Sequence, residues 1–194
     1  MNPGDSQLSF LPQPNQNQSL RFRSQEPQLE LGIDRLQQWQ QQIANYQQQV
    51  RIAPATQGNL FAIANSHVDP ELIDPFTLTR SSFQFYTWPS SRHADEPVIY
   101  FVFDDQVPLL LYIGQAVKAH QRWAGVHDCK EYVDNYICAN YQHQQKTAVC
   151  TAFWWNTPSA FKPRLQLEAK LIAKWRSPFN KENRKYWPTP FTQK

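Results

Sequence analysis

Residues 98–114 read VIYFVFDDQVPLLLYIG, and this stretch decides the fold expected for the second half of the chain. Its two apolar runs, VIYFVF (98–103) and LLLYI (109–113), have the β-branched and aromatic composition of buried strands. The short connection between them favours an antiparallel hairpin. We expect Gly114 to close the second strand, and helical spacing then predicts a helix over residues 115–127.

The elements that follow complete a small α+β unit. A helix is expected over residues 130–142, and a third strand over residues 147–155. Pro163 stands where a helix can begin, and Pro178 stands where that helix must end. The order strand, strand, helix, helix, strand, helix indicates an α+β fold with a three-stranded antiparallel sheet flanked by helices.

The first half of the chain divides into two parts. Residues 1–28 are rich in Gln, Asn, Ser and Pro without an apolar period, which is typical of a flexible segment. Within residues 29–95 a Gln-rich amphipathic helix extends to about Ile52, and a Pro-rich wrapping region of unknown role follows. The helix packs its apolar stripe on the main domain, pairs with another helix, or reads DNA through its glutamines. Residues 96–194 form the main domain with its basic tail.

Charge and cysteine content restrict the class of protein. Residues 162–194 hold nine Lys and Arg but only two Asp and Glu, which favours a polyanionic partner, nucleic acid first. The three cysteines form no C-x-x-C pair and fit a reduced intracellular protein. No run of about 18 apolar residues is present, and the N-terminus lacks a secretory pattern, so no membrane span is expected.

Two tyrosines and an arginine suggest chemistry at the hairpin. Alternation along strands places Tyr100 and Tyr112 on the same face of the sheet. Arg122 falls about two turns into the following helix and can reach back over that sheet. Its planar guanidinium suits a phosphate because it donates two parallel hydrogen bonds and stays charged.

A single carboxylate marks the last helix. Glu168 borders the apolar stripe of that helix, so it is either paired with a cation such as Arg164 or a ligand for a hard cation. Mg²⁺ is commonly held by one or two carboxylates, with water and a substrate phosphate completing its shell. Asn180 could return to the same place as a neutral donor.

Together these residues resemble a known domain. The motifs that carry the resemblance are VIY (98–100), YIG (112–114), Arg122, His127, Glu168 and Asn180. Their order is similar to that of the GIY-YIG nuclease family, over about residues 96–183. Two positions depart from the family pattern: Val98 stands where Gly is usual, and His127 lies one residue away from the usual histidine.

The resemblance implies a metal-dependent endonuclease that hydrolyses DNA phosphodiester bonds. It assigns Tyr100 or Tyr112 to the activation of water, and the sequence does not choose between them. Because a phenol with its ordinary pKa near 10 is a poor base, Arg122, His127 or the metal must favour the phenolate. Glu168 would hold Mg²⁺ or Mn²⁺.

DNA, the implied partner, needs a cationic surface. The basic residues expected to contact phosphates are Lys118, Lys130, Lys162, Lys170, Lys174, Lys181, Arg184 and Lys185. Double-strand cleavage would require a homodimer or two successive nicks, and the implied location is cytoplasmic, at the nucleoid if the chain acts on DNA. The alternative, favoured by Val98 and the shifted His127, is a nucleic-acid-binding or assembly protein that keeps the fold without catalysis.

Overall fold

The structure, a computed structural model, describes residues 32–53, 68–82, 95–117 and 128–190. Its helices are α1 (Ile33–Ile52), α2 (Asp128–Gln142) and α3 (Phe161–Trp175). Its strands are β1 (Ser81–Ser82), β2 (Val98–Asp104), β3 (Leu109–Ala116) and β4 (Val149–Trp154). Short 3-10 turns lie at Pro70–Leu72, Pro75–Thr77 and Lys181–Asn183. Residues 1–28, which the sequence predicts to be a flexible segment, lie outside the described ranges.

The strands form one antiparallel sheet in the order β1-β4-β2-β3. β2 lies between β4 and β3, and all seven of its residues are buried, which is why its sequence from Val98 to Phe103 is apolar on both faces. The predicted α+β class and the antiparallel pairing of the three main strands are confirmed. The two-residue strand β1 adds to the outer edge of β4.

Two hydrophobic layers cover the two faces of the sheet. On one face, Leu36 and Ile43 of α1 and Val133 of α2 pack against residues that include Tyr100 and Val102. On the other face, apolar side chains of α3 and of the segment 68–78 pack against the opposite side of the strands. Each strand of the hairpin therefore contributes alternate residues to two cores.

Side-chain amides and one backbone amide bind the outer edge of β3. Gln47 of α1 donates to the Leu110 carbonyl and accepts from the Leu110 N–H, each at 2.9 Å. The Phe179 N–H donates to the Leu111 carbonyl at 2.9 Å. Asn180 makes the same two-way contact with the backbone of Ile113. An edge strand would otherwise present these groups as a template for another chain.

A buried polar cluster joins α1, α2 and β2. Asp104, with no exposed surface, accepts hydrogen bonds from the Tyr136 hydroxyl and from the backbone N–H groups of Gln106 and Ala148. Gln40 donates to Tyr136 and Asn140. Burial, followed by the charge of Asp104, raises the pKa of Tyr136 well above its ordinary value, so the phenol stays protonated.

The structure corrects the predicted end of the second strand. β3 continues through Gly114 to Ala116, so the expected closure at Gly114 is wrong, as is helix at residues 115–116. The remainder of that predicted helix lies outside the described residues. Gly114 instead pairs with Tyr100 in the middle of the ladder, and its φ is not positive. Its small size serves packing, as described below.

Candidate active site

Tyr100 and Tyr112 lie side by side on the face of the sheet that α1 and α2 cover. Tyr100 is opposite Gly114 and Tyr112 is opposite Val102, and a register shift after Val102 leaves room for the extra residue on β3. The two ring centroids are 5.9 Å apart, which confirms the shared face. Tyr100 is 1% exposed, whereas Tyr112 is partly exposed and lines a cavity.

The phenol of Tyr100 packs directly against Gly114. A Cβ built on Gly114 would lie 2.5 Å from the Tyr100 hydroxyl oxygen and still closer to the ring carbon Cζ. It would also lie 2.8 Å from Cε1 of Tyr112. Only a residue without a side chain therefore fits between the two rings, so the glycine of YIG sets the position of both phenols.

Glu168 reaches the same site from α3. It is half-buried and lines an open cavity of about 580 Å³, formed by α3, Tyr112 and the segment 179–186. Tyr112 and Glu168 thus share one cavity although they come from distant parts of the sequence. Glu182, Tyr186, Lys181 and Lys185 also line it, so two carboxylates, two phenols and two cations meet around one opening.

Arg164 lies one turn before Glu168, with 1% of its surface exposed. Its Nε donates to Gln115 at 2.8 Å, and its Nη1 donates to the carbonyls of Pro158 and Ser159 at 3.0 and 2.8 Å. Burial lowers the pKa of Arg164, and the charge of Glu168 partly opposes that shift. The guanidinium therefore ties the end of β3 to the start of the helix that carries Glu168.

Asn180 lines the cavity, but its amide is engaged with the protein. It is 4% exposed, and its Oδ1 accepts from the Ile113 N–H at 3.0 Å and from the Ser177 hydroxyl at 2.6 Å. Its Nδ2 donates to the Ile113 carbonyl at 2.8 Å. These contacts hold the strand segment next to Tyr112, which is a positioning role.

Three predicted residues of the site lie outside the described residues. They are Arg122, His127 and Lys118. Their roles stay predictions from the sequence.

The other predicted DNA contacts differ in their availability. Lys162, Lys170, Lys181, Arg184 and Lys185 are exposed, and Lys130 is partly exposed. Lys174 is engaged internally, because its Nζ donates to the carbonyls of Pro70 and Glu71 and lies 3.3 Å from the Glu71 carboxylate. We therefore expect Lys174 to hold the segment 70–71 against α3 rather than to bind DNA.

The donor set is compatible with a single divalent cation. Among residues 32–53, 68–82, 95–117 and 128–190, no group of three or more His, Cys, Asp or Glu is placed to hold a metal. A Mg²⁺ site needs fewer protein ligands, since water and phosphate oxygens complete its shell. A partly buried carboxylate at the wall of an open cavity, as Glu168 is, fits that requirement.

Sequence reasoning missed two residues at this site. Tyr186 is 41% exposed and lines the cavity, and Arg176 stacks on its ring with the guanidinium carbon 4.1 Å from the ring centroid. The interleaving of basic and aromatic residues in KENRKYW (181–187) was the available signal, because such interleaving is typical of nucleic-acid contacts.

No protein-family model, curated protein or solved structure matches this chain. In the part of the chain that the structure describes, no helix has both the length and the apolar character to cross a membrane.

Proposed function

We propose that the chain is a metal-dependent endonuclease of the GIY-YIG type that hydrolyses DNA phosphodiester bonds. The observation that carries the proposal is the shared cavity, which brings the YIG tyrosine Tyr112 and the helix carboxylate Glu168 together. Packing alone does not require two phenols, two carboxylates and two lysines around one opening. Val98, the departure from the family motif, is fully buried in the core and takes no part in the cavity.

The exposure of the two tyrosines assigns them different roles. Tyr112 lines the cavity and is the phenol that reaches a substrate, so we assign to it the activation of the attacking water. Tyr100 is buried against Gly114 and Tyr112, and it fixes the orientation of the second ring. A phenol acts as a base only where neighbouring positive charge favours the phenolate. Lys181 and Lys185 supply positive charge at the same cavity.

Glu168 would hold a divalent cation, which when bound supplies charge stabilisation at the phosphate oxygens. Arg164 and Asn180 act through other groups. The first fixes the start of α3 to β3, and the second fixes the backbone of Ile113 beside Tyr112. Exposed lysines, among them Lys162 and Lys170, give affinity for phosphates without reading sequence.

The test is cleavage of supercoiled plasmid by the purified full chain. Conversion to nicked or linear DNA with Mg²⁺ or Mn²⁺, abolished by a chelator, is the expected result. Binding of the same plasmid without cleavage under either metal would contradict the proposal. That outcome would support the alternative, a nucleic-acid-binding protein that keeps the fold without catalysis.

A further inference from the structure

The cavity extends beyond the residues assigned to catalysis. Part of its lining is the segment 181–186, which includes the carboxylate of Glu182. The exposed ring of Tyr186 lies in this segment with the ammonium of Lys185 4.9 Å from its centroid, so a stacked base would take the place of that exposed lysine head. A volume of about 580 Å³ lies within the range of pockets that hold small organic ligands. The site assigned to water activation therefore has adjoining space for a small organic ligand.

Tyr186 is held in place by a stack of cations and rings. The guanidinium of Arg176 lies between two aromatic rings, 4.6 Å from the centroid of Tyr46 and 4.1 Å from that of Tyr186. Arg176 itself has φ 46° and ψ 47°, and its carbonyl accepts from the Trp187 indole at 2.7 Å. A non-glycine residue keeps such a backbone only where its surroundings determine it. The Tyr186 ring is thus oriented before any ligand binds.

An oriented aromatic ring with Lys185 beside it suits one building block of DNA. A nucleobase stacks on an aromatic ring, and the attached phosphate is attracted by the lysines. A base in a duplex is already stacked on its neighbours and must leave the helix to reach a pocket. Given the proposed function, these features therefore favour binding of an unpaired strand over binding of a duplex.

We propose that the cavity binds one unpaired nucleotide of DNA, with its base stacked on Tyr186 and its phosphate directed toward Lys181 and Lys185. The identity of the ligand as DNA rests on the proposed function. The substrate class is accordingly single-stranded DNA or the unpaired strand of a frayed or branched duplex.

DNA binding measured in a buffer that contains a metal chelator tests this proposal, because no metal-dependent cleavage occurs under that condition. Fluorescence anisotropy is measured with a labelled single strand of about 12 nucleotides, within the range of single-strand sites, and with its blunt duplex. Tyr186→Leu removes the aromatic ring but keeps apolar bulk, and Tyr186→Phe keeps the ring. Tyr141→Leu is the matched control, because Tyr141 is 81% exposed on α2 and does not line the cavity.

We expect tighter binding of the single strand than of the duplex. Tyr186→Leu should weaken single-strand binding about tenfold, the size of one lost base stack. Tyr186→Phe and Tyr141→Leu should bind like the wild type. Equal affinities for the two DNA forms, or no effect of Tyr186→Leu, would overturn the proposal. Plasmid cleavage with metal is scored separately, so a failed stacking test in a protein that cleaves leaves the proposed function standing.

Discussion

Gly114→Ala tests whether the glycine of YIG is there to seat the tyrosines. The added Cβ would lie 2.5 Å from the Tyr100 hydroxyl oxygen and 2.8 Å from Cε1 of Tyr112. Neither neighbour is the end of a flexible chain, and Tyr100 is 1% exposed, so the Tyr100 ring cannot move aside freely. Overpacking of this kind costs about 3 kcal/mol, and the reduced entropy of the unfolded chain offsets about 1 kcal/mol.

The net destabilisation expected for Gly114→Ala is therefore about 2 kcal/mol, or a fall in Tm of roughly 4–8 °C for a chain of this size. Calorimetry or thermal denaturation by circular dichroism measures it. Gly32→Ala is the matched control, since a Cβ at Gly32 meets nothing within 4 Å. In Gly32→Ala, the less favourable N-cap residue destabilises the folded state, and the reduced entropy of the unfolded chain stabilises it. The two effects cancel to within about 0.5 kcal/mol. A Gly114→Ala variant that melts at or above the wild-type temperature would refute the packing described here.

Two further predictions concern side chains that are engaged within the fold. Asn180→Ala should lower the free energy of unfolding by about 3 kcal/mol in urea denaturation, because the backbone of Ile113 loses both partners in a buried place. An unchanged midpoint would contradict that role. At about pH 8, near the ordinary thiol pKa, iodoacetamide should modify the exposed Cys138 and spare Cys150. Burial and its hydrogen bond to Asp105 raise the pKa of Cys150 to about 12, so its thiol stays protonated until the pH approaches that value. Equal labelling of the two cysteines, read by mass spectrometry, would be the contrary result.

The sequence was sufficient for the elements whose signal is local. Both strands of the hairpin were predicted from β-branched and aromatic runs, because β2 is buried on both faces and has apolar residues at every position from Val98 to Phe103. The helix that carries Glu168 was predicted from its apolar stripe and its prolines. It begins at Phe161, two residues before Pro163. The proline is tolerated there because the N–H groups of the first turn have no carbonyl partner within the helix, so a missing N–H breaks no hydrogen bond.

The errors arose where tertiary contacts override local signals. Gly114 was expected to end a strand, since glycine commonly does, but the position must accommodate a ring from the neighbouring strand. Asn180 was predicted to return to the site as a neutral donor; it lines the cavity, and its amide hydrogen-bonds the backbone of Ile113 at the edge of β3. The local sequence around Gly114 or Asn180 does not show which groups from other parts of the chain lie against these residues. Their roles could therefore not be predicted without knowing the strand pairing.

Glutamines on α1 show the same limit. Their abundance suggested a surface that reads DNA, but Gln40 and Gln47 are buried and hydrogen-bond to other elements. An amide that both donates and accepts can satisfy a strand edge, which a charged side chain cannot do without a counter-charge. Gln40, for example, hydrogen-bonds to Asn140, which is 100 residues away in the sequence, so no local pattern could have revealed its role.

The central claim is that Glu168 takes part in metal-dependent cleavage at the cavity shared with Tyr112. The most direct measurement is single-turnover cleavage of labelled DNA in Mg²⁺ by the wild type, Glu168→Gln and Glu131→Gln. Glu131 is the matched control, since it is exposed on α2 and does not line the cavity. We predict that Glu168→Gln is about 100-fold slower, because it loses a cation ligand that is worth several kcal/mol, while Glu131→Gln cleaves at the wild-type rate. A Glu168→Gln variant that folds like the wild type and cleaves as fast would contradict the assignment.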